Sequence, residues 1–364
     1  MPELVGEGVS TKSLAIVTSA NDNYVPNAVM ALNSFRRWHP EFGYFLLGNR
    51  VKMSLKSLEL MRQFGIEFIH VDEGEPFIRT GPCKDNYPIE VLYILYCPEL
   101  FSNLNFEYSL YVDGDVFCSQ PVDFSAILPN VDGVAARPVR TLESLRADYF
   151  SRGWEPFDFS RSSVLQAFGL DRKTLMTALE VNTGVVFWNN NKMQEIDFLE
   201  KARTIFEQGQ GSFEGDQDLI SYTAASQSIP IFELFDGHNF AFFADSMRYD
   251  VRLRNQVGTG DFTNVFIVHF VYGKPWLEAN DVGPVKGHFV NAWRQYVCQA
   301  LGAEAKDYFP CVETLKQTET IQQDRYRLVL YAFGMVAALK PVLWFVRRAL
   351  PGVVRDRIRK MLWQ

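Results

Sequence analysis

Two carboxylates one residue apart close an apolar run at Tyr111-Val112-Asp113-Gly114-Asp115-Val116. On an extended strand, residues i and i+2 point to the same side. Asp113 and Asp115 can therefore share one divalent cation, which in turn can bridge the phosphates of a substrate. Gly114 between them allows a close backbone approach. Asp-Gly is also a common turn pair, so a solvated turn would by itself account for the pattern. An EF-hand loop is excluded, because the acidic ladder stops at Asp115.

Three further clusters carry side chains suited to chemistry. Val268-His269-Phe270-Val271-Tyr272-Gly273-Lys274-Pro275-Trp276 places a histidine at the end of an apolar strand, then a glycine and a lysine. These types can supply a metal nitrogen and a phosphate-binding ammonium, although a lone strand-end histidine is more often structural. Glu214-Gly215-Asp216-Gln217-Asp218 reads as a loop entering a helix, where acids also serve as ordinary N-terminal caps. Val181-Asn182-Thr183-Gly184-Val185 puts an amide beside a tight turn leading into a strand.

Positioning these groups requires a regular frame, and the first half of the chain has one. Leu14–Thr18 reads as a buried strand, followed by the turn cluster Ser19–Asn23 and a helix with Pro26 early and Val29, Leu32 and Phe35 on one face. Strands are expected at Tyr44–Leu47, Glu67–Val71 and Ser109–Val112, with helices around Leu55–Met61 and over Ile89–Leu100. Further along, Gly184–Trp188 and Val265–His269 read as strands and Met193–Phe206 as a helix. Strand–helix alternation at this spacing predicts a mostly parallel, doubly wound sheet. Ligands of such sheets bind beyond the carboxyl ends of the strands, where Asn21–Asn23 and Asp113–Asp115 fall. The segment 140–175, rich in Ser, Arg and aromatics, fits no period and is expected to be a lid or acceptor-binding insert.

Composition narrows the class. Of 364 residues, 47 % are hydrophobic and 22 % charged, the balance of a folded globular chain. The net charge of −7 argues against a nucleic-acid partner, which would leave a basic footprint. Five cysteines without CxxC spacing read as reduced thiols. The start, MPELVGEGVSTK, has no apolar run and is not expected to be a signal peptide.

Charge is unevenly spread. From Ile321 to Gln364 nine basic residues face two acidic ones, so this segment is +7 and the remainder −14. It also holds the apolar stretch Leu328–Val346, broken at Lys340-Pro341. A spanning helix needs about 20 apolar residues. The expectation is an amphipathic helix on an anionic leaflet, the other reading being a terminal helix packed on the domain.

In order, Asn21-Asp22-Asn23-Tyr24, Asp113-Gly114-Asp115, Asn182-Thr183-Gly184, Asp216-Gln217-Asp218 and His269…Gly273-Lys274-Pro275-Trp276 resemble the motifs of glycosyltransferase family 8. These are the retaining enzymes that include glycogenin and bacterial lipopolysaccharide galactosyl- and glucosyltransferases. The resemblance spans roughly Ser13 to Trp276, and the series is far more specific than any one motif. It implies an α/β GT-A fold, a Rossmann-like, mostly parallel twisted sheet flanked by helices. Residues 13–300 would form that domain after an N-terminal extension at 1–12, with a helical, basic and apolar tail at 301–364.

The resemblance also implies a nucleotide-sugar donor, most often a UDP-sugar, and Mn²⁺ or Mg²⁺. Asn21 and Tyr24 would contact the nucleoside. Asp113 would touch ribose and metal, with Asp115 and His269 as further metal ligands. Lys274 would hold the diphosphate, helped by the Gly273 backbone, and Asn182 and Asp216 would bind hydroxyls of the donor sugar. Gln217 would lie by the anomeric carbon. An acceptor hydroxyl of a glycan or glycolipid would attack there from the departing face, the alternative being a covalent intermediate on a carboxylate such as Asp216. From the reduced thiols and the basic, apolar segment 321–364, the expected place is the cytoplasm, peripheral on the cytoplasmic face of the membrane.

Two positions depart from the family. Gly273 and Lys274 are adjacent where two residues usually intervene, which makes Lys286 a further candidate for the phosphates. The segment Pro88–Leu95 carries no arginine near Ile94, where the family often has one that contacts the donor; Lys84 is a candidate substitute. Two other readings stand beside the first. One is an inverting transferase or other nucleotide-sugar enzyme, which would need a general base near the acceptor. The other is a non-catalytic protein that keeps the fold and binds the nucleotide sugar.

Overall fold

The computed structural model describes residues 13–72, 89–142, 170, 172–208, 215–241, 251–271, 274–277 and 284–310. Contacts divide the chain into two units, Met1–Leu277 and Glu278–Gln364. The expected membrane segment 321–364, the extension 1–12, most of the 140–175 insert, Lys84 and Gly273 lie outside the described residues.

The first unit begins with β1 (Leu14–Ser19), α1 (Val25–Arg36), β2 (Gly43–Gly48), α2 (Leu55–Gln63) and β3 (Glu67–His70). Leu14 to Val17 are fully buried, as expected of a strand covered on both faces. Pro26 sits in the first turn of α1, where its missing N–H costs nothing, and Val29, Leu32 and Phe35 are buried. Ser54 caps α2 by accepting the N–H of Ser57 at 3.2 Å. The buried side of α2 runs through Ser57, Leu60 and Met61, while Leu55 is 84 % exposed.

After the 3₁₀ stretch Ile89–Tyr96 come α3 (Cys97–Asn103), β4 (Tyr108–Val112), β5 (Val116–Cys118), α4 (Phe124–Ile127) and β6 (Val134–Thr141). The single helix expected over Ile89–Leu100 is thus a 3₁₀ segment followed by a new α-helix. Leu92 to Tyr96 are all buried, which leaves no polar stripe, and Pro98 cannot donate to the preceding turn. Next follow α5 (Arg172–Thr177), β7 (Leu179–Asn189), α6 (Asn190–Glu195), α7 (Phe198–Gln208) and α8 (Asp216–Ser226). The helix expected over Met193–Phe206 is broken at Asp197, whose φ of 54° is left-handed. The unit ends with β8 (Ile231–Glu233), β9 (Phe240–Ala241), α9 (Val251–Gly258) and β10 (Ile267–His269).

Seven strands form one sheet in the order β3-β2-β1-β4-β7-β6-β8. All neighbours pair in parallel except β7, which runs antiparallel to both β4 and β6. The mostly parallel sheet is as expected. A second sheet, β5-β10-β9, was not foreseen; its strands have two or three residues each, too short to show a period. The core of the first unit includes Phe45, Phe101, Trp188 and Phe198, the last two with ring centroids 5.1 Å apart. Burying such a side chain contributes about 2 kcal/mol.

In the second unit, α10 (Pro284–Leu301) and α11 (Ala305–Tyr308) are joined by a 3₁₀ turn, and Trp293 meets Phe309 edge-on at 5.1 Å. No helix among the described residues is long and apolar enough to cross a membrane. Cys97, Cys118 and Cys298 are free thiols, and burial pushes the first two far above the ordinary thiol range.

Candidate metal and donor site

The site is assembled where main-chain bonds at the ends of the two sheets meet around Asp113–Asp115. Asp113 follows β4 and donates its N–H to Gly184 O on β7 at 3.0 Å. Asp115 enters β5, and its carbonyl accepts the N–H of Phe270, just beyond β10, at 2.9 Å. β5 and β10 pair antiparallel with His269 opposite Val116. Two short strands therefore bring a carboxylate pair and an imidazole 154 residues further on to one point.

His269 Nε2 lies 3.5 Å from Asp113 Oδ2 and 3.3 Å from Asp115 Oδ1. One donor atom from each of the three residues falls within 4.8 Å of the others, a spacing that can close on one ion. Two carboxylate oxygens and one imidazole nitrogen form a mixed donor set suited to a divalent first-row ion. The other ring nitrogen is engaged: Nδ1 lies 3.1 Å from Asn182 Oδ1 and 3.2 Å from Asn239 Oδ1. Both partners are acceptors, so Nδ1 carries the proton and Nε2 faces the carboxylates.

Electrostatics inside the cluster are strong. Burial opposes ionisation of Asp115, but His269 and Lys274 outweigh it and hold the carboxyl below its usual range. Burial together with the neighbouring Asp115 raises Asp113, against the pull of His269. His269 is pushed up to about 9: burial disfavours the imidazolium, and the two carboxylates more than compensate. Lys274 ion-pairs with Asp115 through its ammonium group.

Other expected site residues converge here. Tyr24 is 39 % exposed and meets Trp276 edge-on at 6.0 Å. Its ring lies against Gly114, where an added Cβ would sit 3.5 Å from Cδ1. Asn21 caps the short turn that carries Tyr24, accepting its N–H at 3.2 Å. Asp216 opens α8; burial and the charge of Asp113 raise its carboxyl to about 7, with a Thr183 hydrogen bond opposing. Gln217 follows in the first turn, and its Oε1 is 3.5 Å from Asn182 Nδ2.

Asn182 accepts the N–H of Gly184 at 3.2 Å and the Asn239 amide at 2.8 Å, both at Oδ1. Gly184 has no room for a side chain, since a Cβ would sit 2.0 Å from His269 Cε1. The position expected to need a donor-contacting arginine, Ile94, is fully buried in the apolar core. Lys286 belongs to the second unit.

Sequence reasoning missed Asn239, Arg137, Arg140 and Glu180 around this centre. Asn239 steadies His269, and its own carbonyl accepts Arg137 Nη1 at 2.9 Å. Arg137 is wholly buried and pairs with Asp236 at 2.9 Å. Glu180 accepts from both Arg140 and Gln217. No spacing signal announces any of them, because each acts through a partner brought close only by strand pairing.

No family model matches the sequence, and no curated protein matches it. The structure does have solved counterparts. An active-site glutamine-to-glutamate mutant of LgtC superposes with a TM-score of 0.53 at 19 % identity, over 77 % of this chain and 95 % of that one. The galactosyltransferase LgtC in complex with donor and acceptor sugar analogues gives 0.51 at 19 % identity, over 78 % and 99 %. The bifunctional glycosyltransferase WbbM, in its apo form, gives 0.53 at 15 % identity, over 82 % of this chain and 51 % of that one.

This is the GT-A fold of glycosyltransferases. Within the GT-A core the paired carboxylates lie at the carboxyl end of β4, beside β1, where the strand order turns back after β3-β2-β1 and resumes with β4 on the other side. That is the switch point at which open α/β sheets hold their ligands.

Proposed function

We propose that the protein transfers a sugar from a nucleotide-sugar donor, a UDP-sugar, to a hydroxyl of a glycan or glycolipid acceptor, with retention of anomeric configuration. The observation that carries this reading is the convergence of Asp113, Asp115 and His269 within 4.8 Å, beside Lys274. Those three residues would hold Mn²⁺ or Mg²⁺. The bound ion would supply Lewis-acid neutralisation of charge on the departing diphosphate.

The chain's own groups have separate tasks. The Lys274 ammonium, which ion-pairs with Asp115, would add positive charge where the β-phosphate leaves. Asn21 and Tyr24 bind the nucleoside, with Tyr24 and Trp276 offering ring faces at the mouth. Asp216, raised to about 7, is partly protonated at neutral pH and can donate to a sugar hydroxyl as well as accept from one. The Gly273 backbone contributes to the diphosphate grip. Gln217 lies by the anomeric carbon.

A membrane-bound acceptor fits the basic, apolar composition of 321–364, which would keep the protein on the cytoplasmic face of a bilayer. The test of the function is a panel of nucleotide sugars with Mn²⁺, scored by nucleoside diphosphate release and by NMR of the product's anomeric proton. Release from one donor, lost with EDTA, together with a retained anomer supports the reading. An inverted anomer, or no release from any donor, contradicts it.

A further inference from the structure

β6 carries two arginines, Arg137 and Arg140, that pair across the ladder with Asn182 and Glu180 of β7. In a regular strand residues three apart point to opposite faces. A register shift between Pro138 and Arg140 inserts one residue and brings both arginines to the side of Asn182 and Glu180. Arg137 anchors Asn239, as described above. Arg140 anchors Glu180: its Nε donates to Glu180 Oε2 at 2.5 Å.

Glu180 is 2 % exposed, and its second oxygen, Oε1, accepts from Gln217 Nε2. A carboxylate paired with a guanidinium is an acceptor only. The amide of Gln217 must therefore turn its nitrogen to Glu180, since the reversed amide would set two acceptors against each other. The far side of Gln217 gives the same answer. Asn182 Oδ1 already accepts from Gly184 and Asn239, so Asn182 offers its Nδ2 to Gln217 Oε1. The orientation follows from partners on both sides and needs no distinction of oxygen from nitrogen at Gln217 itself.

We propose that Glu180, held by Arg140, is a positioning residue that commits the amide oxygen of Gln217, and not its NH₂, to the donor-sugar side of the cleft. The proposal rests on the transferase reading above. An amide oxygen has the sign needed beside a positive anomeric centre, whereas an NH₂ has the wrong one. The carboxylate also polarises the amide it accepts from, which makes that oxygen more negative. Glu180 acts at the reacting centre without touching it.

The experiment combines two readouts on the full chain: side-chain amide NMR of ¹⁵N-glutamine-labelled protein, with the Gln217 signal identified by its loss in Gln217→Met, and steady-state kinetics on the donor that the nucleotide-sugar panel identifies. Glu180→Gln keeps the shape but can face Gln217 with either end of its amide. It is expected to shift the Gln217 NH₂ signals and to lower kcat about tenfold to hundredfold, with the donor KM and Mn²⁺ affinity unchanged. Arg140→Lys keeps the charge on Glu180 and is expected to leave the signals and kcat near wild type. Should Glu180→Gln fail to fold, the pair Arg140→Gln with Glu180→Gln removes both charges and is read the same way.

Unchanged Gln217 signals in Glu180→Gln overturn the proposal whether or not kcat falls, and so does an unchanged kcat. A wild-type protein that turns over no donor sinks the transferase reading instead, and the NMR result still decides whether Glu180 sets the amide.

Discussion

The imidazole of His269 packs against the Cα of Gly184 so tightly that a Cβ there would lie 2.0 Å from Cε1 and 2.2 Å from Nδ1. The glycine of the Asn182-Thr183-Gly184 triplet is thus required by the His269 ring, 85 residues further along the chain. Gly184→Ala must push the ring away from Asp113 and Asp115. The expected result is a Mn²⁺ affinity about 10- to 100-fold weaker, the range for disturbing the support of a metal ligand. Calorimetric titration of Mn²⁺ into the purified variant measures it, and an unchanged affinity would mean that the ring does not bind the ion.

Asn239→Ala tests the same support from the other side. Its Oδ1 lies 3.2 Å from His269 Nδ1, and removing it leaves Asn182 as the remaining side-chain acceptor shown for that nitrogen. Mn²⁺ binding should weaken by about tenfold with a modest change in melting temperature. A stability loss with wild-type affinity would make Asn239 a packing residue.

Much of this centre was legible before the structure. Asp113, Asp115, His269 and Gln217 announce themselves because each sits at the end of an apolar strand or the start of a helix, which periodicity locates; Asn182 does not, since it lies inside β7 and not beside the tight turn expected before Gly184. Glu180, Arg137, Arg140 and Asn239 do not. Their roles depend on the β6–β7 register and its irregularities, and these are set by packing across the sheet, outside any local window. The break at Asp197 was missed for a similar reason: tertiary packing overrides a pattern that local spacing alone would extend.

Arg137 and Asp236 form a buried ion pair, with the Arg137 side chain 0 % exposed. Arg137→Met leaves the Asp236 carboxylate in the interior without that guanidinium. A loss of about 3–5 kcal/mol is expected, read from urea denaturation. The double variant Arg137→Met with Asp236→Leu should recover most of that loss. Equal instability of both variants would show that the hydrogen bond from Arg137 to the Asn239 carbonyl, and not the charge pair, is what matters.

His238 gives a pH signature separate from the metal site. Its ring stacks on Phe266 at 5.0 Å, and Nδ1 is buried with no hydrogen-bond partner among the described residues. Burial lowers its pKa from 6.5 to about 4. Between these values the unfolded chain binds the proton and the folded one does not, so stability falls as pH drops from about 6.5 to about 4 and is full above that window. Partial solvation reduces the effect to about 2 kcal/mol. In His238→Phe this slope should flatten by that amount relative to wild type. Parallel stability–pH curves for the two proteins would contradict the assignment.

We expect Asp113, Asp115 and His269 to hold a divalent cation that completes a nucleotide site. That expectation is tested most directly by calorimetric titration of UDP into wild type and Asp115→Ala, each with and without Mn²⁺. Binding of UDP to the wild type that requires Mn²⁺ and falls at least about 100-fold in Asp115→Ala is the expected result. Equal binding with and without Mn²⁺, or an Asp115→Ala variant that binds as the wild type does, would contradict the account.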